Sequence, residues 1–297
     1  MSLCFESDLT PYEIAPDFYQ LLQHEVEEGN EFLDENGLKV LRRYYRNVIE
    51  NPARKRFYCY NWVQRISPMV NLLLSLPEKE DPIRILDAGC GVGTESIFWA
   101  SLRDDLEILG VDINAARLQT ARARLLAHSR RLGHALSVRF SEEDVFKVLD
   151  AERFDVVWVM EAISHINPAE AFLKRIAENL GSSGYVVISD SNMLNPVMAW
   201  RIFNLRRLGI AHTHVTTEGG TRISYAQERL FTPGRMAEIL QGFGFDILRV
   251  QISVFFPPAL ARISFLFRIC TVLDHALSHV PLVRNVGGIY TLVARKR

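Results

Sequence analysis

Ile83-Arg-Ile-Leu-Asp-Ala-Gly-Cys-Gly-Val-Gly93 is the stretch whose reading decides the fold. Ile83, Ile85 and Leu86 read as a short buried strand, Gly89, Gly91 and Gly93 as a tight turn that lets a ligand approach the backbone, and Thr94 to Leu102 as a helix. A ligand at such a turn lies at the helix N-terminus, where unpaired N–H groups point outward. Leu106 to Val111 follows as a second apolar strand, and Asp112 at its end is placed to accept hydrogen bonds from both hydroxyls of a ribose. These features describe a nucleoside-binding strand, turn and helix.

Two ligand classes use such a turn. The dinucleotide fingerprint is Gly-x-Gly-x-x-Gly, but counted from Gly89 its sixth position is Thr94, and the third glycine arrives one residue early at Gly93. Asp87, on the strand's end, would repel a pyrophosphate and attract the ammonium of an amino-acid moiety. Spacing and charge therefore point to a nucleoside joined to an amino acid, as in S-adenosylmethionine.

From Ile83 onward, short apolar runs alternate with helical patterns in the manner of a doubly wound parallel α/β sheet. Strands are expected over 83–87, 106–111, 136–140, 154–160 and 184–189, with helices near 94–103, 114–130 and 168–180 and right-handed crossovers. Thr232 and Pro233 start a further helix as N-cap and first residue, Phe245 to Ile252 is a sixth strand, and Ile289 to Ala294 a seventh. Ligands in such sheets lie beyond the carboxyl ends of the strands, where Asp87, Asp112, Asp144 and Glu161 all fall.

The chain resembles the class I S-adenosylmethionine-dependent methyltransferases, in particular their bacterial small-molecule branch. The resemblance rests on Leu86-Asp-Ala-Gly-Cys-Gly-Val-Gly93, Val111-Asp-Ile-Asn114, Glu143-Asp-Val145, Phe154-Asp-Val-Val-Trp-Val-Met-Glu-Ala-Ile-Ser-His-Ile166 and Gly184-Tyr-Val-Val-Ile-Ser-Asp190, in order and spacing. It covers roughly residues 83 to 190 and, more weakly, 230 to 297. It implies a seven-stranded Rossmann-like sheet whose last strand inserts antiparallel between the fifth and sixth, and S-adenosyl-L-methionine as cofactor. It also implies that Asp87 and the turn Gly89, Cys90, Gly91 and Gly93 hold the methionine end, Asp112 the ribose, Ile113 one adenine face, and Asp144 with the Val145 amide the adenine edge. Met160, at the end of the fourth strand, is counted with them.

Composition fits a globular enzyme. The 297 residues permit one large domain or a domain with an added subdomain, and 48% hydrophobic content supports a sizeable core. A net charge of -1 offers no general attraction to nucleic acid or anionic membrane. The cysteines, Cys4, Cys59, Cys90 and Cys270, are far apart, which disfavours a zinc site and a disulfide framework and fits a reducing cytoplasm. Met1 to Asp8 is acidic where a signal peptide needs base, and no apolar run reaches the about eighteen residues of a membrane span.

Residues 1–80 read as an N-terminal helical cap, with helices over 16–28, 38–49 and 61–76, the last interrupted at Pro68. An acidic run (Glu25 to Glu35) precedes a basic one (Arg42 to Arg56); both are expected to be solvated or mutually paired faces. Tyr58, Tyr60 and Trp62 are candidates to close over the cofactor or substrate. The core, 81–297, carries two insertions, at about 191–230 and 253–284, and long connections are where recognition tends to reside. The first holds a helix from Val197 to Leu208 with Arg201, Arg206 and Arg207, and a His212-x-His214 pair that lacks the neighbouring ligands of a metal site. The second is amphipathic: Ile263, Leu266, Ile269, Val272, Leu273 and Val280 share one side of a helical wheel, and Arg268, Thr271, Asp274 and His275 the other. Its apolar stripe is expected to pack on the core or cap; a homodimer face or peripheral membrane contact through 258–280 are the other readings.

Methyl transfer is an in-line displacement, so the protein must align a nucleophile and remove its proton where it has one. His165, just beyond the fourth strand and of a residue type whose unperturbed pKa suits neutral pH, is the general-base candidate, with Glu161 available to orient it, touch the cofactor or bind a cationic substrate. The expected reaction is methyl transfer to an O, N or C nucleophile of a small, partly hydrophobic molecule. Aminopropyl transfer or cyclisation would use the same cofactor motifs. Amino-adenine methylation is disfavoured because Glu161-Ala-Ile-Ser164 replaces the Asn/Asp-Pro-Pro-aromatic segment of those enzymes, and three arginines are a small footprint for nucleic acid. A non-catalytic cofactor-binding partner protein would not need so complete a pocket.

Overall fold

The computed structural model describes residues 52–297 apart from 79, 208–211, 217–221, 227–229 and 282. The helices expected over 16–28 and 38–49, with the acidic run and the basic run up to Arg46, lie outside the described residues; Arg56, at the end of the basic run, donates to Ala261 O at 3.3 Å. The strands are β1 (Ile83–Ala88), β2 (Leu106–Val111), β3 (Val138–Ser141), β4 (Phe154–Met160), β5 (Leu180–Ser191), β6 (His212–Thr216), β7 (Arg222–Ala226), β8 (Phe245–Ser253) and β9 (Ile289–Lys296). Seven of them form one sheet in the order β3-β2-β1-β4-β5-β9-β8, while β6 and β7 pair only with each other. The first five pair in parallel, and β9 runs antiparallel to both β5 and β8. The Rossmann-like order, with the last strand inserted antiparallel, is the expected one.

The helices are α1 (Pro52–Ser75), α2 (Thr94–Leu102), α3 (Ala115–Leu132), α4 (Val145–Ala151), α5 (Ala169–Asn179), α6 (Pro196–Arg207), α7 (Pro233–Gly242) and α8 (Ser264–Ser278). A sheet buried on both faces needs two apolar layers, and it has them. On one side Ile66, Met69 and Leu73 of α1 pack with Phe98 and Trp99 of α2 and Trp158 of β4. Trp99 and Trp158 meet edge to face, with centroids 5.5 Å apart. On the other side Phe172, Leu173 and Ile176 of α5 and Met236 and Leu240 of α7 cover Val157, Val186 and Leu292.

Three local expectations are corrected. Helix α1 is not interrupted at Pro68 but continues through it. Proline removes the N–H that would bond the carbonyl four residues earlier. That carbonyl, Gln64 O, accepts instead from Gln251 Nε2 of β8 at 3.0 Å, so a tertiary bond replaces the lost helical one. Strand β3 begins at Val138, two residues late, and the unanticipated α4 follows it, capped by Asp144, whose Oδ1 accepts from Phe146 N at 2.9 Å.

The third correction concerns α8. Its apolar stripe faces away from the core: Val272 and Leu273 are 67% and 50% exposed, whereas Thr271 and Asp274, on the polar side, are buried. Asp274 explains the orientation. Its carboxylate accepts from Tyr60 Oη at 2.7 Å, Val254 N at 2.9 Å and Phe255 N at 2.5 Å, and so ties α8 to both α1 and the end of β8. Phe57, Tyr60, Phe256 and Ile289 pack beside this clamp. Asp274→Ala should strand three donors and lower the unfolding free energy by roughly 3 kcal/mol or more, checked by denaturant unfolding. A variant within about 0.5 kcal/mol of wild type would show that another contact docks the helix.

Candidate active site

At the carboxyl edge of the sheet the chain turns sharply after β1. Gly89, Gly91 and Gly93 have φ of 82°, 57° and 74°, the left-handed region that glycine adopts freely. Two of them are also tightly enclosed: a Cβ on Gly89 would lie 2.6 Å from Ala162 Cβ, and one on Gly93 2.5 Å from Phe140 Cζ. Gly89 N and Cys90 N both donate to Val111 O, at 2.8 and 3.1 Å, which ties the turn to the end of β2. From there Asp112 accepts from Gly91 N at 3.0 Å and from Asn114 N at 2.8 Å. Each carboxylate oxygen has a second lone pair, so Asp112 keeps capacity for further donors. Ile113 beside it is half-buried.

Asp87 is buried under the turn and accepts from Ser96 Oγ at 2.5 Å. Burial, reinforced by the nearby charge of Glu95, pushes its carboxyl up to about 8. Glu95 itself, in the first turn of α2, is buried and pushed up to about 7, chiefly by desolvation. Its side chain accepts from Trp62 Nε1 of α1. Arg124 of α3, fully buried, donates to Val92 O at 2.5 Å and Thr94 Oγ1 at 2.9 Å and so braces the other side of the turn. Neither Glu95 nor Arg124 is legible as a site residue from sequence: a glutamate at a helix start and an arginine within an amphipathic helix are ordinary surface features until tertiary packing encloses them.

Beyond the end of β4 a cavity of about 550 Å³ opens. Its wall is mainly apolar, with Phe57, Trp62, Met160, Met198, Phe255 and Ile289 prominent, and its polar groups include Asn61, Arg65, Glu161 and Arg201. Helix α1, the first insertion and the segment after β8 all contribute. Glu161, non-glycine yet at φ 50°, projects into this space and pairs with Arg65, Oε1 to Nη2 2.8 Å. Of the proposed aromatic lid, Tyr58 and Trp62 line the cavity, but Tyr60 is buried against Asp274.

The methyltransferase domain family profile matches residues 86–186, from the glycine turn through β5. Those residues therefore carry a methyltransferase domain. The cofactor that goes with such a domain is S-adenosyl-L-methionine. Among curated relatives, the ubiquinone biosynthesis O-methyltransferase of Rhodopseudomonas palustris is 28% identical over 177 residues, 60% of this chain and 64% of the relative's own length. That of Cereibacter sphaeroides is 27% identical over 207 residues, 70% of this chain and 76% of the relative. The fold is also that of a magnesium protoporphyrin IX methyltransferase from Synechocystis, with a TM-score of 0.53 at 15% identity, covering 95% of this chain and 97% of that one.

The methyltransferase edge fits its cofactor chemically. Two buried carboxylates, Asp87 and Asp112, flank a turn in which Gly89 and Gly93 leave no room for side chains, and an amino-acid nucleoside would bring an ammonium to the first acid and ribose hydroxyls to the second. Cys90 contributes backbone only, since burial pushes its thiol pKa up and keeps it neutral. Asp144 is exposed and engaged as the α4 cap, with Val145 half-buried behind it. Met160 and Glu161 meet at the cavity, whereas His165 is not among its lining residues. It stands in the following turn, where its backbone N donates to Ala162 O at 2.9 Å. Among the described residues no helix is long and apolar enough to cross a membrane.

Proposed function

We propose that this chain transfers a methyl group from S-adenosylmethionine to a small, partly hydrophobic molecule. The observation that carries the reading is the apolar cavity at the end of β4, bordered by Met160 and Glu161 on the edge of the sheet that bears the glycine turn. When bound, the cofactor supplies an electrophilic methyl on a sulfonium. In this proposal Asp87 and the turn of Gly89, Cys90, Gly91 and Gly93 hold the methionine end, Asp112 the ribose, and Ile113, Asp144 and Val145 the adenine. Trp62 and the other aromatics exclude water from the reacting centre. Proton removal moves from His165 to Glu161, because Glu161 is the carboxylate that faces the cavity. An oxygen acceptor is favoured by the O-methyltransferase names of the relatives.

Replacing Asp112 by Ala should remove both ribose contacts and the brace on Gly91, weakening S-adenosylmethionine binding by roughly 1.5–3 kcal/mol, on the order of ten- to a hundredfold. Calorimetry that finds equal affinity in wild type and variant would sink the ribose assignment. The exposed stripe of α8 supports a further reading, that two copies pair through this helix. Light scattering of the purified protein decides it, since a strictly monomeric mass at high concentration rules the pairing out. The buried free thiols of Cys59 and Cys90 support a reducing, cytoplasmic setting.

A further inference from the structure

Arg65 is a buried cation with an unfinished set of partners. A guanidinium carries five N–H donors in a planar fork. Arg65 Nε donates to Asn61 Oδ1 at 2.8 Å and Nη2 pairs with Glu161, but Nη1 is buried with no hydrogen-bond partner. The two ends of the ion pair are unequal, since the Arg65 side chain is 5% exposed and that of Glu161 59%. Desolvating a charge is costly unless it is fully compensated, so the pairing with an exposed carboxylate leaves a deficit. Two more buried atoms next to this charge lack partners, Asp190 Oδ2 and Tyr290 Oη. Burial pushes the Asp190 carboxyl up to about 7 although Arg65 pulls it down, so at neutrality it balances Arg65 only in part. Arg65, unlike Asp190, lines the cavity.

We propose that Arg65 is the oxyanion-binding residue of this cavity, and that the acceptor's nucleophile is an ionisable hydroxyl, phenolic or enolic. The proposal rests on the methyl-transfer reading above and narrows its acceptor to one class. Glu161, exposed and free to swing, takes the hydroxyl proton and passes it to solvent. The O–H bond breaks, the oxygen replaces the Glu161 carboxylate on the Arg65 guanidinium as an anion, and its lone pair forms the new O–CH3 bond while the electrons of the broken S–CH3 bond remain on sulfur. A buried guanidinium lowers the pKa of such a hydroxyl because it favours the charged form. Glu161 works against that effect until it is protonated, and Asp190 limits it throughout.

The test uses the full chain with 4-nitrophenol, whose neutral and ionised forms absorb at different wavelengths. Bound to wild type, the probe should show a pKa lowered by about 1 unit relative to free probe. Glu161→Gln should deepen that shift, and Arg65→Gln should abolish it while Arg65→Lys keeps part. Gln at 161 keeps an acceptor for Arg65, so a thermal melt should show Glu161→Gln folded, and its probe shift decides the matter even if Arg65→Gln unfolds. A probe that fails to bind wild type, binds with unchanged or raised pKa, or responds to Glu161→Gln with no further lowering would overturn the assignment. Calorimetry with S-adenosylmethionine on the same samples separates the two claims. No cofactor binding alongside an intact probe shift defeats the methyl-transfer reading and leaves the oxyanion site standing.

Discussion

Glu161→Gln should lower turnover by about a hundredfold or more, the usual loss when a general base is removed, and leave S-adenosylmethionine affinity nearly unchanged. The amide keeps the shape and a hydrogen bond to Arg65 but cannot take a proton. His165→Ala should keep most of the activity, because its ring is not part of the cavity wall. The pair is informative together, measured as kcat over the neutral pH range. A silent Glu161→Gln with a crippled His165→Ala would restore the histidine as base and imply that the turn after β4 rearranges when the acceptor binds.

Asp87→Asn should weaken cofactor binding by roughly 1.5–3 kcal/mol, the range for hydrogen bonds to a charged group, and change its pH dependence. In the cofactor-free protein the carboxyl keeps its proton up to about 8, because burial and then the Glu95 charge disfavour the ionised form. The unfolded chain releases that proton near the ordinary 3.8. The stability linked to this group is therefore fully present below about pH 4 and declines as pH rises toward 8. An ammonium placed beside it reverses the preference, so binding should expel a proton. Wild-type affinity should rise between about pH 6 and 7.5, and calorimetry in buffers of different ionisation enthalpy should record proton release. The Asn variant should lose most of that slope. A flat wild-type profile would mean that Asp87 is only a structural acid bonded to Ser96.

Much of this was legible in the sequence because it depends on local rules. The positive-φ glycines, the alternating apolar runs and the N-cap at Thr232 act within a few residues. What was not legible depends on partners far along the chain. The stripe of α8 is amphipathic on any wheel, yet the buried side is the one with Asp274, whose donors Tyr60, Val254 and Phe255 come from two other elements. Pro68 is a helix breaker by every local argument and is rescued by Gln251, over 180 residues away. Arg65 and Glu95 take their significance from where α1 lies, against the ends of β4 and the glycine turn. His165 is singled out by its place just beyond β4 and by the ordinary pKa range of an imidazole, and neither fixes the direction in which a turn presents its ring.

Methyl transfer is tested most directly by mass spectrometry of the purified protein incubated with S-adenosylmethionine and an extract containing small phenols and enols. S-adenosylhomocysteine should form in step with a new product heavier by one methylene, and both should fall about a hundredfold or more in Glu161→Gln. Methylthioadenosine in place of S-adenosylhomocysteine would contradict methyl transfer, because the group transferred would then not be the methyl.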